Sequence, residues 1–181
     1  MVMPRVVSVN VGLPRRVIWN GKEVLTGIFK EPVLGKVKVR KLGLEGDKQA
    51  DLKAHGGPKK AIYAYPSEHY SYWRTIFPRQ DLPWGMFGEN LTTEGLLEDA
   101  VRVGDEFRIG NVEVAVTQPR FPCYKLGIKF GTMEMVNRFQ AAGWSGFYLA
   151  VLKEGEVIAG DEITLINRNV ANPTIADTFS S

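Results

Sequence analysis

Apolar residues in this chain recur at every second position over stretches too short for a helix, and turn-forming residues separate these stretches. The clearest case is Val112, Val114 and Val116, which alternate with Glu113, Ala115 and Thr117. A period of two puts the valines on one face of a strand and their neighbours on the other. The same reading predicts strands at Val6–Val11, Val24–Phe29, Lys36–Leu42, Ala61–Tyr65, Phe107–Ile109, Val112–Thr117, Phe147–Val151 and Glu162–Ile166. Gly110-Asn111 has the length and composition of a two-residue hairpin turn, and Glu154-Gly155 reads as another turn. Two segments depart from the pattern. Glu68–Ile76, behind Ser67 as a candidate N-cap, and Thr132–Ala142, ahead of Gly143 as a candidate C-cap, predict short helices. Many short strands, few helices and 19 glycines predict a mainly β fold, an antiparallel β-barrel whose closure removes exposed edges.

A single domain is expected over residues 1–166, since 181 residues with 44% hydrophobic content are enough to bury one sizeable core. Residues 167–181 are polar without apolar periodicity and read as a C-terminal tail. One cysteine cannot form an intrachain disulfide, an iron–sulfur cluster or a four-cysteine zinc site. The first residues lack the apolar core of a signal peptide, and no apolar run reaches membrane-spanning length, so a cytoplasmic protein without a membrane partner is expected.

The net charge of +3 is mild, but residues 30–60 hold nine Lys/Arg against four Asp/Glu. Such regional basic charge suits a phosphorylated ligand or a nucleic-acid backbone. For Lys36 and Lys38, which alternate with Val37 and Val39, the solvated face of a strand is an equal alternative. Tyr63, Tyr65, Tyr70, Tyr72 and Trp73 offer stacking surfaces for a single strand. Against nucleic acid stand the low global charge and an aromatic share, 10%, that is ordinary for a core.

Cys123 follows the Val112–Thr117 strand in Gln118-Pro119-Arg120-Phe121-Pro122-Cys123-Tyr124-Lys125. The prolines stiffen this connection, and Arg120 and Lys125 flank the thiol with charge that favours the thiolate, the form that attacks electrophiles and ligates soft metals. Burial as a small hydrophobe is the competing reading. Three further segments concentrate chemistry-bearing residues. Gly43-Leu44-Glu45-Gly46-Asp47-Lys48-Gln49-Ala50-Asp51 carries acids among lysines at a strand end. His55-Gly56-Gly57-Pro58-Lys59-Lys60 is either a turn or a place where backbone N–H groups meet an anion. Phe87-Gly88-Glu89-Asn90-Leu91 places a polar pair beside an apolar stretch, as a cap, a bulge or a contact to a heterocycle.

Taken in order, these four segments resemble the MOSC family, named for the C-terminal domain of molybdenum-cofactor sulfurase, and most of all its bacterial stand-alone YiiM-type members. The resemblance runs over roughly residues 8 to 166. It implies a mostly antiparallel barrel with a few helices and a cleft for the molybdenum cofactor (molybdopterin), with the family's cysteine on Cys123 as a thiolate metal ligand. Asp47 and His55 would line that cleft, and Glu89 and Asn90 would help shape it. Phosphate and pterin contacts would come from Arg40, Lys48, Gly56, Gly57, Lys59, Arg120 and Lys125. The chain lacks the preceding N-terminal β-domain of the mitochondrial amidoxime reductases, so part of the surface they use is expected to be absent or rebuilt.

The activity that follows is reduction of a small N-hydroxylated base or amidine, with Asp47 or His55 as proton donor. A separate electron-donating reductase is implied, because no iron–sulfur ligand set and no Gly-rich dinucleotide fingerprint is present. A second reading makes Cys123 a persulfide-bearing sulfur carrier or cofactor-sulfurating module, which needs an accepting partner since no second cysteine is present. A third is a non-enzymatic basic barrel that binds single-stranded nucleic acid. The sequence leaves the oligomeric state open, a homodimer included.

Overall fold

The structure is a computed structural model that describes residues 3–181. Its strands, in chain order, are β1 (Arg5–Val11), β2 (Arg15–Trp19), β3 (Lys22–Thr26), β4 (Glu31–Pro32), β5 (Val37–Arg40), β6 (Gly43–Leu44), β7 (Ile62–Pro66), β8 (Leu91–Glu94), β9 (Glu106–Ile109), β10 (Val112–Pro119), β11 (Phe147–Lys153), β12 (Gly155–Val157) and β13 (Ile163–Asn167). The helices are α1 (Tyr70–Ile76), α2 (Tyr124–Phe130), α3 (Glu134–Ala142) and α4 (Ile175–Ser180).

Period-two alternation is realised on β10 and β5, whereas β7 is buried along its whole length. On β10, Val112, Val114 and Val116 are buried while Glu113, Ala115 and Thr117 between them are not. On β5, Val37 and Val39 point inward and Lys38 and Arg40 outward, so the lysine at 38 belongs to the solvated face of a strand. The eight-stranded sheet runs β13-β9-β10-β11-β7-β8-β1-β4, beside a three-stranded sheet β12-β5-β6 and the hairpin β2-β3.

The antiparallel barrel expected from sequence is not formed as a closed ladder. The far half of the outer edge of β1, at Asn10 and Val11, pairs with Pro32 and Glu31 of β4. Only its first residues reach β13's end of the sheet, through the bridge Arg5–Glu162 and the hydrogen bond from Ile163 N to Pro4 O at 2.8 Å. Nor is the sheet wholly antiparallel, because β7 and β8 run parallel, joined by a crossover that contains α1.

Two clusters fill the interior. An aliphatic one lies under the sheet, from Val6 and Val9 to Val112, Val114, Leu149 and Val151. An aromatic one, with Tyr65, Tyr70, Trp73, Phe87, Phe130 and Phe139, lies between the β7–β8 crossover and helices α2 and α3. Four of the five aromatics proposed as a stacking surface, Tyr63, Tyr65, Tyr70 and Trp73, are therefore core, and only Tyr72 is exposed.

The segment read as a tail is packed. Thr174 and Asp177 form a reciprocal capping box at the start of α4, and Arg168 reaches the buried Asp105 at 2.5 Å. Ile175 and Phe179 turn inward, and Phe179 stacks on Phe121, two residues before Cys123, with ring centroids 5.1 Å apart. The Phe179→Ala substitution should therefore cost about 3 kcal/mol in urea unfolding, in line with other buried Phe→Ala changes; unchanged stability would mean that the terminal helix contributes little to the fold.

Candidate functional site

Cys123 sits where β10 gives way to α2. The pairing of β10 with β11 shifts register between Val116 and Gln118, an irregularity that re-aims the strand end. Arg120-Phe121-Pro122 then turns the chain, and Cys123 is the extended N-cap residue of α2, its carbonyl accepting from Leu126 N at 3.0 Å. The thiol is half-buried. It lies in a cavity of about 50 Å³ lined by Lys30, His55, Tyr63, Arg120, Lys125 and Tyr148, among others.

Burial alone would push the Cys123 thiol up. The His55 hydrogen bond, the Lys125 backbone N–H and the Arg120 charge together outweigh burial and bring it down to about 7. His55 Nε2 is 3.8 Å from Sγ. The histidine is held by its own turn: Asp51 Oδ1 accepts from Lys53 N and Ala54 N at 3.0 and 3.1 Å, and His55 N donates to Asp51 O at 2.8 Å. Arg120 is buried, donates to Phe87 O, and has its guanidinium carbon 4.8 Å from the centre of the Tyr63 ring.

A larger groove adjoins this cavity. It has a volume of about 640 Å³, within the range of small-molecule sites, and is lined by Arg40, Leu42, Glu45, Asp47, Lys48, Leu52 and Gly57, among others. Gln49 borders both spaces. Between them stands an ion pair, with Lys30 on the cavity side and Asp47 on the groove side, Nζ to Oδ1 at 2.7 Å. Gly27 fixes the wall, since a Cβ there would come within 2.7 Å of Lys48 O.

The sequence-predicted residues therefore fall into four places. Cys123, His55, Arg120 and Lys125 meet in the small cavity, and Arg40, Lys48, Gly57 and Asp47 line the groove. Asp47 is occupied there by Lys30 and by Gly12 N, which donates to Oδ1 at 2.9 Å. Gly56 and Lys59 border neither space. Gly56 packs closely on Leu52, and Lys59 uses its carbonyl to accept from Thr117 at 2.6 Å. Glu89 and Asn90 are fully buried behind the cavity, bonded to Tyr70, Thr92, Phe87, Tyr63 and Asn10.

Lys30, Tyr63 and Tyr148 are cavity residues that the site reading of the sequence passed over. No motif marks Lys30. Tyr63 and Tyr148 lie in strands, where an aromatic is indistinguishable from core. Among the described residues no group of three His, Cys, Asp or Glu side chains converges, so a metal beside Cys123 would have to bring its other ligands with it. No helix among the described residues is long and apolar enough to cross a membrane.

In cofactor-free protein, alkylation of Cys123 by iodoacetamide should rise through a midpoint near pH 7, against about 8.5 for an ordinary thiol. The sign follows from the lowered thiol, which reaches the thiolate form at lower pH. Removing a group that lowers it, as in His55→Ala, should move the midpoint upward; an unmoved midpoint would discard the histidine contact as a cause.

The MOSC domain model matches residues 51–164, a span that takes in His55, Arg120 and Cys123 but neither Lys30 nor Asp47. The chain is 47% identical over 163 residues to the uncharacterized protein YflK of Bacillus subtilis, covering 90% of this chain and 73% of the relative. It is 35% identical over 151 residues to a protein of Gibberella moniliformis named "Reductase", covering 82% of this chain but only 27% of that one. The crystal structure of YiiM from Geobacillus stearothermophilus superposes with a TM-score of 0.79 at 38% identity, covering 97% of this chain and 82% of that chain. On the family model and these relatives together, the chain belongs to the MOSC domain family.

Proposed function

We propose that this protein holds the molybdenum cofactor, with the Cys123 thiolate as its protein ligand, and reduces small N-hydroxylated bases or amidines. The observation that carries this reading is the placement of the sole cysteine: half-buried in a cavity, lowered to about 7, and flanked by a groove that carries Arg40 and Lys48 and is large enough for a heterocycle. Family membership ties the chain to molybdenum-cofactor chemistry, and the fungal relative named as a reductase supports an oxidoreductase.

The donor set fits the cofactor. A metal already carrying a dithiolene wants one further soft, anionic ligand, and a thiolate supplies it better than a carboxylate or imidazole. Arg40 and Lys48 on the groove offer charge-assisted donors to the pterin's phosphate. When bound, the cofactor supplies the electron pair that breaks the N–O bond, replenished by a separate reductase. The chain's own residues keep the sulfur ionised and bring a proton to the departing oxygen. Arg120 holds positive charge against the thiolate, and His55 carries a proton at Nε2 on the same wall of the cavity, where the departing oxygen needs it. His55 takes this role rather than Asp47, whose carboxylate is engaged with Lys30 and Gly12 N.

Protein purified from cells with intact cofactor biosynthesis should contain molybdenum and a releasable pterin, and should reduce an aromatic amidoxime with an artificial electron donor. Loss of groups that merely orient a ligand costs about 10–100-fold, so Cys123→Ser, which removes the ligand itself, should lower that rate by ~100-fold or more. A metal-free preparation together with undiminished reduction by Cys123→Ser would end this reading. A covalent gain of one sulfur atom on Cys123, removed by reductant, would replace it with sulfur carriage.

A further inference from the structure

Lys30 is costly where it sits. Its side chain is only 2% exposed, and among the described residues Asp47 alone comes within pairing distance of Nζ. An ammonium has three N–H bonds to satisfy. Asp47 Oδ1, at 2.7 Å, can take one of them at most, and that oxygen already accepts from Gly12 N. Burial pulls the Lys30 ammonium below the ordinary lysine range, and the Asp47 charge and hydrogen bond oppose it. An arrangement of this kind rarely stabilises a fold better than two apolar side chains would.

What the position offers instead is direction. Lys30 lies in the wall of the cavity that contains Cys123, and its ammonium has more donors than Asp47 can take. That space, about 50 Å³, admits a small polar group and shares Gln49 with the adjoining groove, which has room for a larger body.

We infer that Lys30 is a ligand-binding residue of this cavity and that it takes a negatively charged oxygen presented against Cys123, with Asp47 keeping the ammonium in place. The inference deepens the reading above and, for the substrate, rests on it: the oxygen at the end of the N–O bond is then the group Lys30 meets. Lys30 would hold that oxygen while His55, 3.8 Å from the sulfur, supplies the proton.

The test uses cofactor-free protein and its sole cysteine as reporter. Iodoacetate and iodoacetamide attack the same thiolate through the same leaving group, but only iodoacetate carries an anionic oxygen pair. The ratio of their rate constants at one pH cancels the thiolate fraction. Compared with free glutathione, the wild-type protein should favour iodoacetate. Lys30→Gln should lower the ratio roughly tenfold, the scale of one charge-assisted hydrogen bond, while the iodoacetamide rate stays within about twofold. Lys30→Arg should restore most of the preference. Lys30→Gln leaves Asp47 buried without its cation, so the double variant Lys30→Met/Asp47→Asn, which removes both charges, should show the same loss of preference in a folded protein. An unchanged ratio in both variants, or an equal fall of both rates in both variants, would overturn the assignment. The assay contains neither molybdenum nor an electron donor, so its result is independent of whether the reductase reading holds.

Discussion

A thiolate in a half-buried cavity needs positive charge that cannot drift away from it, and here the aromatic core holds that charge. The Arg120 guanidinium carbon is 4.8 Å from the centre of the Tyr63 ring and 5.6 Å from that of Phe139, while Nη1 donates to the Phe87 carbonyl at 2.5 Å. Phe87 is itself held, its amide donating to Glu89 Oε1 at 3.1 Å. Tyr70 and Thr92 donate to the other oxygen of that carboxylate at 2.5 and 3.0 Å. Burial pushes Glu89 up, and these hydrogen bonds pull against it. Phe87-Gly88-Glu89-Asn90 thus acts on Cys123 at one remove. It fixes a carbonyl, the carbonyl fixes a guanidinium, and the guanidinium lowers a thiol. Asn90 extends the same arrangement, since its Oδ1 accepts from the amide of Tyr63, the residue whose ring lies under Arg120.

The site is divided as well as charged. The small cavity presents the sulfur, His55 and two buried cations, whereas the groove beside it is wide, flanked by Leu42 and Leu52, and bordered by Arg40 and Lys48. The Lys30–Asp47 pair and Gln49 stand between them. Such a partition separates two tasks. A flat, phosphorylated molecule can be bound by area and peripheral charge, while a few atoms are handled in a half-buried space where each electrostatic contact is stronger than in open water. β10 and α2 carry the sulfur, while residues between 40 and 57 line the groove and also send His55 into the cavity.

How far these features could be read from the residues depended on whether their signal was local. Alternation in Val112–Thr117 and Lys36–Leu42 located β10 and β5 because burial on one face is written at every second residue. Asn20-Gly21, a strong two-residue hairpin signal, was passed over, and with it the β2–β3 pair; Asn20 and Gly21 both adopt positive φ there. Helix α2 escaped because it is one short run behind Pro122 with Gly127 inside it, and its helicity comes from packing Leu126, Ile128 and Phe130. The terminal helix had a local signal, Thr174 three residues ahead of Asp177, hidden in a polar stretch. At the site, Cys123, His55 and Arg120 stood out through scarcity or company. Lys30 did not, because its partner Asp47 is brought to it only by the tertiary fold.

Asp47 shows why a conspicuous acid and a catalytic acid are different things. Directly after Gly46 at a strand end it reads as a proton donor, yet its oxygen is engaged by an ammonium and a backbone N–H. The costly partner in that pair is the lysine. A buried ammonium with unsatisfied donors gives away stability that an apolar residue would keep, and departures from local consistency of this kind are expected where function imposes them. Lys30, Arg120 and Cys123 all border one small cavity. The cations cannot both be accounted for by the sulfur, because Arg120 is among the groups that lower Cys123 and Lys30 is not. The Lys30 charge is met instead by Asp47 from the groove side, so what the lysine has left for an incoming oxygen beside the thiolate is donors that Asp47 does not take.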